Sequence, residues 1–347
     1  MAKRVLVTGG AGLVGSHTAE YYAKRGDEVI ILDNLMRSKL FNYDKESVEH
    51  NWNYLDKYDN VKKIKGDVRN KEDVYKAIGG GLDLVIHTAG QPGVPSSVRQ
   101  PREDFDINAF GTLNVLESLR EKSPRATFIY CSTNKVFGEN VDKIPLKEKD
   151  SRYVYEGVEG ISESIPIDHT GHTPYGASKY VGDIYTQEYA RIYGMKTAVF
   201  RMSCIYGPRQ FGFEDQGWVA WFIIAVLTKH PITIYGNGKQ VRDLLYVEDL
   251  VKAYDKFAQS TIKHGVYNIG GGPDNTISLL EFVEILKEEL KNQPKISFAD
   301  WRPSDQKVYI SDISRIKKEL RWEPTVNPQQ GIKKLIEWAK EVNPVRK

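Results

Sequence analysis

Residues Thr8-Gly9-Gly10-Ala11-Gly12-Leu13-Val14-Gly15 constrain this chain more than any others. They follow a short apolar run, Val5–Val7, and precede a helical pattern over about 13–25. In that context Gly9 allows a tight turn, Gly12 lets the backbone approach a pyrophosphate, and Gly15 lets the helix pack on the strand. The N-terminus of the helix offers free N–H groups and the positive end of a dipole to phosphates. A strand before the glycines and a helix after them separate a dinucleotide site from a chance glycine pattern.

Further apolar runs are Val29–Leu32, Val61–Ile64, Leu82–His87, Thr127–Cys131 and Thr197–Arg201. They are β-branched and nearly all apolar, as strands buried on both faces are. Helical patterns lie between them, over about 71–78, 102–121 and 174–193. This alternation predicts an α/β fold, a Rossmann-type doubly wound parallel sheet that binds ligands beyond the carboxyl ends of its strands. The later chain is less regular. Residues 216–229, 278–291 and 328–341 read as helices and 232–235 and 265–269 as strands, punctuated by Pro208, Pro231, Pro294, Pro303 and Pro324. With 347 residues, two domains are expected. One is a dinucleotide-binding domain over 1–200, to which about 236–270 returns. The other is a smaller mixed α/β substrate-binding lobe from 201–235 and 271–347. The stretch 139–173 has no clear period. Its place before Tyr175 points to a cover over the site, with a passive insertion as the alternative.

The charge, +3 from 49 basic and 46 acidic side chains, is too balanced for a nucleic acid partner. No apolar run spans a bilayer, and glycines break the segment after Met1-Ala2-Lys3-Arg4 too early for a signal peptide. A cytoplasmic protein with no membrane partner is expected. Arg346-Lys347 reads as a short solvated end. Cys131 and Cys204 have neither CxxC nor metal-ligand spacing, so buried free thiols and no metal are expected.

Asp33 ends the second strand, eighteen residues past Gly15. A carboxylate there accepts hydrogen bonds from ribose hydroxyls and repels a 2′-phosphate. Its neighbours, Asn34 and Leu35, are not arginines, so NAD is favoured over NADP. Asp67 has two readings, as a partner of the adenine amino group or as a helix N-cap. Tyr175 and Lys179 stand at i and i+4, on one helix face. An ammonium beside a phenol lowers the phenol pKa, so Tyr175 can take a proton from a substrate hydroxyl. Ser132 or Thr133, ending the fifth strand, can bond the reacting hydroxyl or merely satisfy backbone groups. Asn108 is either a water bridge to Lys179 or a helix-kink amide.

Together these segments resemble the extended short-chain dehydrogenase/reductase family of sugar-nucleotide epimerases and dehydratases. The match runs through residues 8–15, Asp33-Asn34, Gly66-Asp67, His87 to Gln91, Asn108 with Gly111-Thr112, and Thr133 to Gly138. It continues through Tyr175/Lys179, Arg201 to Pro208, Gly236 to Asp243 and Arg302, nearly the whole chain. The resemblance implies a tightly held NAD on Gly9, Gly12, Leu13, Val14, Gly15, Asp33, Asn34, Asp67, Val68, Ala89, Gly90, Gln91 and Asn108. It implies Tyr175 as acid/base, Lys179 on the nicotinamide ribose, and Thr133 assisting. Substrate contacts are implied at Asn134, Arg201, Ser203, Arg209, Gln216, Trp218, Arg242 and Arg302. Arg242 and Arg302 form the cation fork for a diphosphate. The plainer alternatives are ion pairs for the arginines and a core place for Trp218.

Cys204 stands where relatives commonly carry an asparagine on the diphosphate. Dehydratases of the family use an Asp-Glu pair after the threonine to expel water. Here Asn134-Lys135 follows Thr133, which disfavours dehydration. The segments Ser132–Val136, Ile167–Gly176, Arg209–Val219 and Gly238–Asp243 are similar to the CDP-paratose 2-epimerase branch. That similarity implies inversion at C2 of a CDP-hexose through a 2-keto intermediate. The alternatives are a UDP-sugar 4-epimerase and, from another class, a non-catalytic NAD-sensing protein. A homodimer or homotetramer, paired through the helix carrying Tyr175 and the helix near 102–121, is implied as well.

Overall fold

The computed structural model describes residues 2–40, 45–302 and 304–342, so Pro303 and Arg346-Lys347 lie outside the described residues. The chain divides into two compact units. The first comprises Met1–Val136, Thr173–Arg201 and Val251–Tyr267. The second comprises Phe137–His172, Met202–Leu250 and Asn268–Lys347.

The first unit is built on seven strands: β1 Arg4–Thr8, β2 Glu28–Asp33, β3 Val61–Lys65, β4 Leu84–His87, β5 Thr127–Thr133, β6 Thr197–Met202 and β7 His264–Ile269. They lie in the order β7-β6-β5-β4-β1-β2-β3. Each neighbouring pair from β3 to β5 is parallel. Helices cover the sheet, among them α1 Leu13–Lys24, α2 Pro101–Phe105, α3 Gly111–Lys122 and α4 Thr173–Tyr193. Leu6, Ile30, Val85, Phe128 and Val199 from the strands pack with Val115, Leu116, Leu119 and Tyr189 from α3 and α4. Burial on both sheet faces explains the unbroken apolar strands. Strand order reverses between β1 and β4, where Thr8 and His87 are partners. The loops after these two strands therefore open side by side, where doubly wound sheets bind ligands.

The second unit is mixed. Val241–Tyr246 is its central strand, parallel to Cys204–Tyr206 and Val308–Tyr309 and antiparallel to Thr276–Ser278. Ile232–Tyr235 pairs in parallel with Ile296–Ala299. Leu146–Glu148 and Tyr153–Tyr155 make an antiparallel pair. The helix Trp218–Leu227 is apolar all round because it is enclosed by Phe282, Ile332, Leu335 and Ile336.

Three boundaries differ from the sequence expectation. Residues 137–172 group with the second unit because their backbone bonds are made there, Tyr153 N to Lys239 O at 3.0 Å and Ile161 N to Ile310 O at 2.7 Å. Val241–Tyr246 belongs to the second unit, and only Val251–Tyr267 rejoins the first. The expected helix over 102–121 is broken by a π-helical turn, Asp106–Phe110, between α2 and α3. Thr112 Oγ1 donates to Asn108 O at 2.6 Å and satisfies a carbonyl of the widened turn.

Candidate active site

The loop between β1 and α1 can hold a dinucleotide because it keeps side chains out. Gly9 sits at φ +73°, and a Cβ there would lie 2.7 Å from Ala89 N, in the loop after β4. A Cβ on Gly15 would lie 2.0 Å from the Gly9 carbonyl oxygen. No side chain caps α1 at Gly12, and its first turn carries no acidic residue. The N–H groups at Leu13 and Val14 thus face a cradle of bare backbone suited to a pyrophosphate. These residues fit NAD.

At the end of β2, Asp33 Oδ2 accepts from Ala11 N at 2.9 Å and Oδ1 from Leu35 N at 2.8 Å. Burial raises the Asp33 pKa against those two bonds. Asn34 donates to Asp67 Oδ2 at 2.8 Å. Asp67 does not cap the following helix. Asn70 does, accepting from Glu72 N and Asp73 N. Burial works against the Asp67 carboxylate, but hydrogen bonds from Arg69 and Asn34 hold its pKa below the usual range. Val68 is buried against Gly111, where a Cβ would come within 2.7 Å of it.

The end of β5 separates the two candidate hydroxyls. Ser132 Oγ donates to Asp183 Oδ2 at 2.8 Å and is committed there. Thr133 instead stands near enough to the Tyr175 phenol to lower its pKa. It also donates to Asn134 Oδ1 at 3.3 Å. Lys179 is buried, with Nζ 4.4 Å from the centre of the Tyr130 ring. Burial pushes its ammonium down to about 8, opposed by Cys131, Asp104 and Asp183. Burial pushes the Tyr175 phenol up to about 12, opposed by Thr133. This corrects the expectation that the lysine would lower the phenol pKa. Desolvation dominates, and the ammonium faces the Tyr130 ring.

Behind this pair lies a buried polar network. Asn108 Oδ1 accepts from Gln91 N at 2.8 Å, and its Nδ2 donates to Gln91 O, Asp104 Oδ1 and Ser178 Oγ, each at 3.1 Å. The Gln91 amide donates to Gly93 O and Asp104 Oδ1. Both amides, expected at the cofactor, are thus engaged inside the chain. Gly90 is where that network meets the lysine: a Cβ on it would lie 3.0 Å from Asn108 Oδ1 and 3.7 Å from Lys179 Nζ. His87 bridges Thr8 Oγ1 at 2.6 Å and Thr112 Oγ1 at 3.0 Å. Burial drives its pKa down to about 3, so it stays neutral.

Two acids were missed in the sequence. Asp183 continues the four-residue spacing of Tyr175 and Lys179 on α4. Asp104 precedes Asn108 by the same interval. Arg201, expected on substrate, pairs with Asp183 at 2.9 Å, with side-chain exposures of 5% and 0%. It is an internal cation because the β6 face that carries it is packed under α4.

In the second unit, Arg242 donates to Asp305 Oδ1 at 2.7 Å and to Val241 O at 2.8 Å. Arg302 pairs with Asp215 at 3.1 Å and lies 3.8 Å over the Tyr235 ring. Each arginine thus already holds one carboxylate. Ser203 donates to the buried Asp243. Arg209 is buried at φ +65°. Gln216 makes a backbone bridge with Phe213. Trp218 takes the core place, its ring edge-on to Phe222 at 5.8 Å and Phe282 at 5.2 Å. Both cysteines are free thiols, Cys131 buried and Cys204 partly so. Burial raises Cys131 to about 11 and Cys204 to about 12. Among the described residues no helix is long and apolar enough to cross a membrane.

Residues 5–270 match the model of the NAD-dependent epimerase/dehydratase family. The chain is 38% identical to CDP-paratose 2-epimerase of Salmonella typhi, over 98% of this chain and 100% of that protein. It is 32% identical to a putative UDP-glucose 4-epimerase of Methanocaldococcus jannaschii, over 98% and 99%. Among solved structures, UDP-glucose 4-epimerase of Thermus thermophilus in complex with NAD superposes with a TM-score of 0.79 at 32% identity, covering 97% and 99%. That of Thermotoga maritima with UDP-glucose gives 0.80 at 29%, covering 98% and 99%. The family match covers most of the chain, and the bare glycine cradle fits the cofactor it implies: the chain belongs to the NAD-dependent epimerase/dehydratase family of nucleotide-sugar enzymes.

Proposed function

We propose that this enzyme inverts C2 of a CDP-hexose of the paratose/tyvelose or glucose/mannose type. The observation that carries the reading is the 38% identity to a CDP-paratose 2-epimerase along both chains, against 32% for the UDP-glucose 4-epimerase relative. When bound, NAD supplies the acceptor and later the donor of a hydride, together with a ring cation. Tyr175 takes the proton of the C2 hydroxyl at its phenol oxygen and returns it after the sugar has turned. Thr133 orients that phenol, and Lys179 donates to the nicotinamide ribose. Asp33 accepts from the adenosine ribose hydroxyls, and the first turn of α1 holds the pyrophosphate. Arg242 and Arg302 are the cations for the substrate diphosphate, exchanging their bonds to Asp305 and Asp215 for phosphate oxygens. Asn134 and Lys135 offer no carboxylate to expel water, so the 2-keto sugar keeps its hydroxyls.

The test is direct. Purified protein given CDP-paratose or CDP-tyvelose is expected to interconvert them, read at C2 by proton NMR. Inversion at C4 of UDP-glucose with none at C2 of any CDP-hexose would replace this reading by a 4-epimerase.

We further propose that the protein pairs with a second copy. Phe105, Phe110, Ile184 and Tyr185 are 50%, 46%, 37% and 43% exposed on α2, the π turn and α4, which pack side by side. Large apolar side chains gathered on adjacent helices favour association. Phe105→Glu with Tyr185→Glu is expected to halve the mass measured by light scattering. An unchanged mass would show that the pairing surface lies elsewhere.

A further inference from the structure

The reaction given above gives no role to the buried carboxylate of Asp104. Asp104, on α2, has no exposed surface. Its Oδ1 accepts from Gln91 Nε2 at 3.0 Å and Asn108 Nδ2 at 3.1 Å. Its Oδ2 is buried and meets no hydrogen-bond donor among the described residues. Burying a carboxylate with half its acceptor capacity unused is costly unless a nearby charge compensates.

The groups around the lysine identify that charge. Lys179 is faced by Asp104 from α2, by Cys131 and the Tyr130 ring from β5, by His87 from β4, and by Asp183 from its own helix. Tyr175 is faced by Thr133 and by Asp104. Among the described residues, Asp104 is the one acid that acts on both members of the pair. It also reaches the backbone that carries them: Asn108 Nδ2 donates to Asp104 and to Ser178 Oγ, and Ser178 Oγ donates to Tyr175 O at 3.1 Å.

We propose that Asp104 is a positioning residue, whose carboxylate sets the charge balance of Tyr175 and Lys179 and, through Asn108 and Ser178, the seat of the helix turn that carries them. The proposal rests on the roles given to Tyr175 and Lys179 above. Removing its negative charge disfavours the ammonium of Lys179 and favours the phenolate of Tyr175. Both groups then titrate at lower pH.

The isosteric Asp104→Asn variant keeps an acceptor for Gln91 and Asn108 and loses the charge. Both limbs of its kcat–pH profile are expected to move acidward by about one pH unit, with KM within about two-fold of wild type. A second readout needs neither cofactor nor substrate. In protein labelled with 13C at lysine Cε, the resonance missing from Lys179→Met reports Lys179, and its titration is expected to fall in Asp104→Asn. Asp104→Glu keeps the charge but displaces Asn108. Its Lys179 titration is expected to stay in place while kcat falls about ten-fold. Wild-type pH limits and a wild-type Lys179 titration in Asp104→Asn would overturn the proposal. If Asp104→Asn does not fold, Asp104→Glu decides: an unchanged kcat overturns it. The NMR titration still reads Lys179 if the wild type proves inactive on CDP-hexoses, so failure of the substrate assignment is told apart from failure of this inference.

Discussion

Replacing Tyr175 with phenylalanine is expected to lower turnover by about 100- to 10,000-fold while the purified protein keeps its NAD. The substitution removes one hydroxyl and leaves the ring. The glycine cradle at Gly9–Gly15 is untouched, as is Asp33, so cofactor retention has no reason to change. What disappears is the atom that, in the proposed mechanism, would carry the proton between the sugar oxygen and the enzyme. At neutral pH the chain itself holds both Tyr175, at about 12, and Lys179, at about 8, protonated. Tyr175 therefore begins as an acid in the chain alone, and NAD, when bound, would supply a positive charge that favours its phenolate. The measurement is kcat beside the dinucleotide released on denaturation. Near-normal turnover in Tyr175→Phe would remove the phenol from the mechanism.

The largest stability effect is expected at Arg201. Arg201→Met leaves Asp183 with no exposed surface and without its cation, and is expected to cost about 3–5 kcal/mol. In thermal unfolding this corresponds to a fall in Tm on the order of 10 °C. Ser132 and Gln187 still donate to Asp183, but neutral donors do not offset a buried anion. The double variant Arg201→Met/Asp183→Leu is expected to recover at least half of the loss, because it removes the stranded charge. A single variant as stable as wild type would mean that the pair contributes nothing to holding β6 under α4.

These two residues also mark how far the sequence is legible. Tyr175, Lys179 and the glycine loop stand in short segments whose meaning is local: a spacing on one helix turn, or a backbone shape that only glycine permits. The parallel strands were readable for the same reason, since burial on both faces leaves an unbroken apolar run. Arg201 failed because a cation next to a motif looks the same whether it faces a ligand or a buried carboxylate eighteen residues earlier in the chain. The phenol pKa failed because the i, i+4 spacing shows proximity, whereas desolvation depends on residues brought in from other elements of the fold. The π turn at Asp106–Phe110 was not readable because a single turn of five residues is too short to set up an apolar period of its own. The strand Val241–Tyr246 was missed because it sits inside a segment read as returning to the sheet of the first unit.

The segmented make-up of the first unit governs how the chain can be made. Its sheet is completed by β7, which begins at residue 264 of 347. On the ribosome, the outer edge of β6 stays unpaired until that strand emerges, long after every residue of the glycine loop has been synthesised. An open apolar edge is a template for pairing with other chains. A fragment ending at residue 263 is therefore expected to aggregate more than the whole chain, as read by light scattering of the two side by side.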